Sequence, residues 1–410
     1  MNCGVAILEK VSVTTSGRRF RPTGRWSPVT FCVALCFLLG SPPVHSVTFT
    51  TFDAAGAGTG PNQGTFPQSI NEGAITGYFV DGNNVAHGFL RDPDGTITTF
   101  DAAGAGTGFG QGTVPTSINP NGAISGYYVS AFTLPPPSNL NHGFLRDPDG
   151  TITSFDPPGS EGTFPASANG INPAGAITGY YNDRKGVAHG FLRAPDGTIT
   201  SFDAPFAHTD FFGEGTFPAA NNPEGAITGY YVGRDNDHRH GFLRAPDGTI
   251  TSFRVPNPSG EAFNTEATSI NPKGEITGLY HEFRTRTPHG FVRARDGMIT
   301  TFDAPGAGTG FDKGTYPDTN NPMGTITGFY YDAGRMGHGF VRARDGTITS
   351  FDVPGASGTA AFSINPEGTI TGIYKDANQV IHGFLRSPDE DVQGPETDDE
   401  TKFEIIDLDQ

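Results

Sequence analysis

One phrase fills this sequence and leaves few folds open to it. In its fullest form it is HGFLRAPDGTITSFD, from His189 to Asp203. The HGF triplet begins at His87, His142, His189, His240, His289, His338 and His382, so the spacings are 55, 47, 51, 49, 49 and 44 residues. Tandem units of that size cannot bury their apolar faces singly and must stack on one another. Thr, Ile, Phe and Tyr dominate the runs between turns, which is strand chemistry, and no apolar pattern of helical period interrupts them. The 58 glycines and 33 prolines recur with the repeat, and therefore read as tight turns.

Each unit offers four strand candidates, designated a to d. In the first full unit they are Pro67–Asn71, Ala74–Val80, Ala86–Arg91 and Thr96–Asp101. Asn-Pro-x-Gly joins a to b in six of seven units, and a turn ending in Asp-Gly joins c to d. Pro presets φ at the first turn position and Gly supplies a positive φ at the exit, as in a type I turn with a glycine bulge. Counting the c–d loop as residues 92–95 sets Arg91 opposite Thr96, so that His87, Phe89, Arg91, Thr98 and Phe100 share a face. The chain opens with TFTTFD at 48–53, a d strand with no c strand before it, and HGFLR at 382–386 is a c strand with no d strand after it. The two halves complete a unit only if the array closes. The sequence thus predicts an all-β fold, a seven-bladed β-propeller of four-stranded blades over residues 47–387, closed by strand 48–53 joining the C-terminal blade.

The flanks differ in character. In residues 1–46, Arg18, Arg19, Arg21 and Arg25 precede an apolar run from Val29 to Gly40 and then SPPVHS, the pattern of a cleavable secretory signal. The run is too short for a spanning helix, so no membrane span is expected after cleavage. Cys3, Cys32 and Cys36 all lie in this segment. Its removal takes away five of the 26 basic residues and one of the 43 acidic ones, leaving a net charge of −21. That charge disfavours nucleic acid as a partner. Residues 388–410 form an acidic tail, read as solvated and disordered. A secreted monomer is expected.

The HGF-x-R phrase with its following turn, together with the export signal, resembles the HAF family of extracellular repeats, tandem arrays in secreted bacterial proteins. Here the second letter is Gly in all seven copies, where the family name implies Ala. The resemblance covers residues 47–387, implies an extracellular setting and supplies no catalytic residue.

Seven histidines in register invite a metal reading. A metal site needs three or four ligands converging on one point. One His per unit, on a strand outside the innermost one, cannot converge. The repeated His, and the Arg two residues after each Phe of HGF, are therefore assigned to structure, with an Arg–Asp or His–Asp bond inside each blade. No metal or cofactor is expected. GAGTG at Gly104–Gly108 precedes no helix, so it cannot present a helix N-terminus to phosphate. There is no G-x-S-x-G elbow, and the many aspartates sit mostly in turns. Lone departures such as Arg254 and His281 suggest no role.

Function is sought where the repeat varies. In a four-stranded meander the b–c and d–a loops lie on one face, and all large variation falls there. These loops carry Arg184, Arg234, Arg239, Arg284, Arg286 and Arg335, with Phe211 and Phe212 in the d–a loop before the fourth unit. They form a candidate anion-accepting, ring-stacking surface. The reading leans against catalysis: a secreted binding or scaffold propeller engaging a polysaccharide or a cell-surface protein. The alternative is a hydrolase or lyase acting on acidic glycans over the channel. A singular carboxylate–His cluster at the channel mouth would favour the enzyme, and its absence would favour binding.

Overall fold

A computed structural model describes residues 47–131, 141–167, 169–210, 212–234, 238–256 and 262–388, so residues 1–46, Phe211 and the tail from 389 lie outside the description. The described chain is all strand and turn. After β1 (Phe49–Phe52), unit 1 holds β2 (Gly64–Asn71), β3 (Ala74–Val80), β4 (Ala86–Arg91) and β5 (Ile97–Phe100). Unit 2 holds β6 (Gly112–Ile118), β7 (Ile124–Val129), β8 (Asn141–Arg146) and β9 (Ile152–Phe155). Unit 3 holds β10 (Gly162–Pro165), β11 (Ile177–Asn182), β12 (Ala188–Arg193) and β13 (Ile199–Phe202). Unit 4 holds β14 (Thr216–Asn221), β15 (Ile227–Val232), β16 (Arg239–Arg244) and β17 (Ile250–Phe253). Unit 5 holds β18 (Ala262–Ile270), β19 (Ile276–Glu282), β20 (Pro288–Arg293) and β21 (Ile299–Phe302). Unit 6 holds β22 (Gly314–Asn320), β23 (Ile326–Tyr331), β24 (Gly337–Arg342) and β25 (Ile348–Phe351). The last group is β26 (Gly358–Ile364), β27 (Ile370–Lys375) and β28 (Ile381–Arg386). Its fourth strand is β1, which pairs antiparallel with β28 from Phe49↔Arg386 to Phe52↔Gly383.

Strand a begins three residues earlier than its sequence pattern predicts, because Gly64 and its counterparts bond to the neighbouring unit: Gly64 pairs in parallel with Ile381, and Gly112 with Ala86. The c–d register is shifted by one from the sequence expectation. Gly95 N–H donates to the Asp92 carbonyl and Asp92 N–H to that of Thr96, so the loop proper is Pro93–Gly95 and Arg91 stands opposite Ile97. The glycine bulge absorbs one residue. His87, Phe89, Arg91 and Asp101 therefore share a face, while Phe100 points to the opposite one.

That shift explains what the repeated residues do. Phe100 faces the following unit, where it meets Phe144 edge-on at 6.3 Å and carries the Arg146 guanidinium 4.9 Å above its ring. The same pair of contacts recurs at every junction, including Phe52 of β1 with Phe89 and Arg91 of unit 1. The core is accordingly split into clusters lying between units. One joins Ala54, Ile70, Ile75, Phe79 and Phe89 to Phe52 and Leu385 of the last group. Among the described residues no strand ladder closes on itself. The Arg–Phe and Phe–Phe contacts recur at all seven junctions, beside short parallel pairings such as Gly64 with Ile381.

Within a unit the repeated His is a clip. His142 Nδ1 lies 2.7 Å from the Asp156 carboxylate, and its ring stacks on Tyr128 at 5.0 Å. Equivalent His–Asp bonds hold His87, His189, His289, His338 and His382. In unit 4 Arg254 replaces the Asp and donates from Nε to His240 Nδ1 at 2.8 Å.

Candidate functional site

The a strands are innermost, and residues from all seven units line a common axial channel. At its narrow end the Asn-Pro turns enclose a cavity of about 130 Å³. In units 2 to 6 each turn Asn donates from its side chain to the carbonyl of the next, as Asn172 does to Asn222 at 3.2 Å, and Asn365 accepts the last of these bonds. Unit 3 has an extra loop at this level. Asn169 reaches past unit 4 to donate to Ser269 Oγ of unit 5 at 2.9 Å, and Ser269 in turn donates to Asn320 of unit 6. Asn169 lines the narrow cavity, whereas Ala166 and Ser167 line a wider one above it.

This wider cavity, about 470 Å³, is a funnel on the side of the variable loops. Its wall is a belt of rings built by register. In each unit the third residue of the repeated strand-a segment stands opposite the same residue of strand b: Phe164 opposite Tyr180, Phe217 opposite Tyr230. These pairs stack at 5.0 and 4.9 Å, and edge contacts join Tyr127 to Phe164 and Tyr180 to Phe217. Burial raises the pKa of these phenols, Tyr230 to about 12, so they remain hydroxyl donors.

Unit 5 breaks the belt. Where other units carry Phe66, Val114, Phe164, Phe217, Tyr316 and Ala360, it carries Glu266, opposite Leu279. Arg239 Nη1 lies 2.7 Å from Glu266 Oε1, with its guanidinium 5.1 Å from the Tyr230 ring centroid. Burial opposes the Arg239 charge, but Glu266 outweighs it and the Arg239 pKa is raised. Asn264, in the place of the strand-opening Gly, accepts the Arg239 backbone N–H at 2.9 Å and so fixes the strand that carries it. His281 Nδ1 lies 3.9 Å from Glu266 Oε1, and burial lowers its pKa, which favours the neutral ring.

A second break sits deeper. Strand a carries a one-residue bulge in six units, at Gln68, Thr116, Ala219, Thr268, Asp318 and Phe362. A bulge re-aims the extra side chain, and four of these residues line the funnel, Asp318 among them. The Asp318 side chain opens on the lumen but is otherwise enclosed by protein, and this desolvation pushes its pKa up to about 7.

The structure scatters the loop arginines. Arg184 pairs with Glu161 at 3.1 Å and shares a shallow recess with Phe212. Arg234 lies with Phe206 and Tyr231 in a separate recess, and Arg335 with Tyr316 and Tyr331 in a third. Arg284 and Arg286 are exposed on the β19–β20 loop. Phe211 is outside the described residues. Arg239 is different, because its contacts reach the funnel wall. Five exposed phenylalanines, at 109, 206, 212, 283 and 311, all lie in b–c or d–a loops. Glu266 and Asp318 were not singled out by the sequence, although both break the repeat. Strand a has the weakest internal pattern, so the breaks emerge only after the bulges fix its register.

Solved structures share this architecture. Streptogramin B lyase matches at 15% identity and a TM-score of 0.50, covering 83% of this chain and 97% of that one. The β-propeller domain of the trilobed protease from Pyrococcus furiosus matches at 8% identity and a TM-score of 0.52, over 81% and 99% of the two chains. The fold is a β-propeller. Virginiamycin B lyase from Staphylococcus aureus, at 14% identity and a TM-score of 0.50, covers 83% of this chain and 99% of that one. At these identities the likeness concerns the fold alone. The propeller of the trilobed protease is described as having an open velcro topology, whereas here β1 pairs with β28. No protein-family model matches the chain. No curated protein matches it either. Among the described residues no helix is long and apolar enough to cross a membrane, and no group of three or more His, Cys, Asp or Glu could hold a metal ion.

Proposed function

We propose that this protein is a secreted, closed seven-bladed propeller of the HAF-repeat type that binds a saccharide end in its channel funnel. The observation that carries the reading is the aromatic belt from Tyr127 to Tyr230 ending on the Arg239–Glu266 pair, all around one cavity. Stacked Tyr and Phe rings offer apolar faces to the C–H faces of a sugar, and phenol hydroxyls bond its hydroxyl groups. Arg239 and Glu266 neutralise each other, which favours an uncharged, hydroxyl-rich ligand over an acidic glycan. A concave cavity of this size suits a chain end better than a protein surface. The exposed phenylalanines of the surrounding loops extend the same chemistry outward.

Titration calorimetry of the purified protein against neutral oligosaccharides of glucose, mannose, galactose, xylose and N-acetylglucosamine tests this, with oligouronates as the acidic arm. Saturable binding to one neutral class is expected. Tyr180→Ala should weaken it by about tenfold or more, and the doubly substituted Arg284→Ala, Arg286→Ala protein should bind as wild type. Binding that survives Tyr180→Ala but fails in the arginine variant would return the site to the loops.

A further inference from the structure

We propose that the funnel also cuts the saccharide it holds, with Asp318 as proton donor to the glycosidic oxygen and Glu266 as the carboxylate facing the developing positive charge. The inference rests on the binding reading above and concerns the same cavity. Its ground is geometric. The bulge in β22 turns Asp318 into the lumen, where other units present Gln68, Thr116, Ala219, Thr268 and Phe362. Glu266, on the adjacent β18, lines the same cavity and is paired with Arg239 at 2.7 Å. Two carboxyl groups in one site, one desolvated and one paired with a cation, suit the acid and charge-facing roles of glycoside hydrolysis.

Their environments separate them in that sense. Asp318 forms no hydrogen bond or ion pair with a described residue, and its enclosure holds the carboxyl protonated up to about pH 7. Sharing its cavity are Glu266 from β18 and the phenols of Tyr127, Tyr180 and Tyr230, while the nearby cation Arg239 is committed to Glu266. The step balances with water alone. Asp318 gives its proton to the glycosidic oxygen as the C–O bond breaks, and the bonding pair leaves with that oxygen. Water then adds to the anomeric carbon and returns a proton to the Asp318 carboxylate.

The test uses reducing-end-labelled oligosaccharides of the five neutral classes, with binding and product release measured on the same samples. The expected result is shortened product from the class that binds, at a rate that falls as pH rises through about 7. Asp318→Asn should lower kcat at least about 100-fold while leaving affinity within a few fold, and Glu266→Gln should lower kcat by more than it weakens binding. Retained binding also shows that the Asp318→Asn variant is folded. Binding without product, or an Asp318→Asn protein that cleaves like wild type, overturns the catalytic proposal and leaves the binding reading standing. No binding to any class overturns both.

Discussion

At the scale of residues, the His–Asp clip makes stability depend on pH in a definite direction. His189 Nδ1 contacts Asp203 at 3.0 Å, and Asp183 lies 3.8 Å from its other ring nitrogen. The bond to Asp203 is the chief cause that raises the His189 pKa, against burial, and the same holds for His289 with Asp303. A raised folded pKa means that the stabilisation is complete below the unfolded value of about 6.5 and fades as pH rises through the folded one. Asp203→Asn should therefore cost most near pH ~6 and progressively less toward pH ~9. Urea midpoints of both proteins across that range check this, and a difference that grows with pH would contradict it. The repeated His was legible as structural from its sevenfold recurrence, but its partner was not. Choosing Asp over Arg needs the c–d register, and Arg254, which gives no signal as a residue, proves to replace a clip acceptor with a donor.

At the scale of elements, glycines decide the register. Gly215 has φ +115° and closes on the preceding unit, so that a Cβ there would lie 1.9 Å from the Ala188 carbonyl oxygen. Backbone of the neighbouring unit cannot yield as a side chain can. Gly215→Ala should lose about 1–3 kcal/mol or more, measured as a fall in thermal midpoint. Gly355→Ala, also at positive φ but with open space around its Cβ, should lose less. Equal losses would show that backbone strain alone matters. The turns themselves were readable, since Pro and Gly at fixed offsets specify them. The one-residue slip in the c–d pairing arose because a bulge glycine belongs to the loop by composition and to the ladder by geometry. The bulges of strand a leave no such mark: Gln68, Thr116, Ala219, Thr268, Asp318 and Phe362 share no chemistry.

At the scale of the whole molecule, β1 supplies the last group with its fourth strand, His382 with Asp53, and Arg91 with the ring of Phe52. If the array closes, that junction bears the same load as any other. Phe52→Ala should then cost ~3 kcal/mol, the same loss expected of Phe155→Ala at the junction of units 2 and 3. A much smaller loss for Phe52→Ala, in paired denaturation curves, would mean the ring is open there. The circular offset of the repeat made the β1–β28 pairing legible from sequence. The funnel was not, because its residues are up to about two hundred positions apart and converge only through stacking of the units. Loop arginines are conspicuous in an acidic chain, yet they are dispersed over separate recesses and Arg184 is already paired with Glu161, while the residues that converge are ordinary tyrosines and two acids.

Asn169 adds a last consequence. Its bond to Ser269 reaches past unit 4 beneath the funnel and narrows the channel there. A saccharide bound as proposed would enter from the loop side and meet this bond at its leading end.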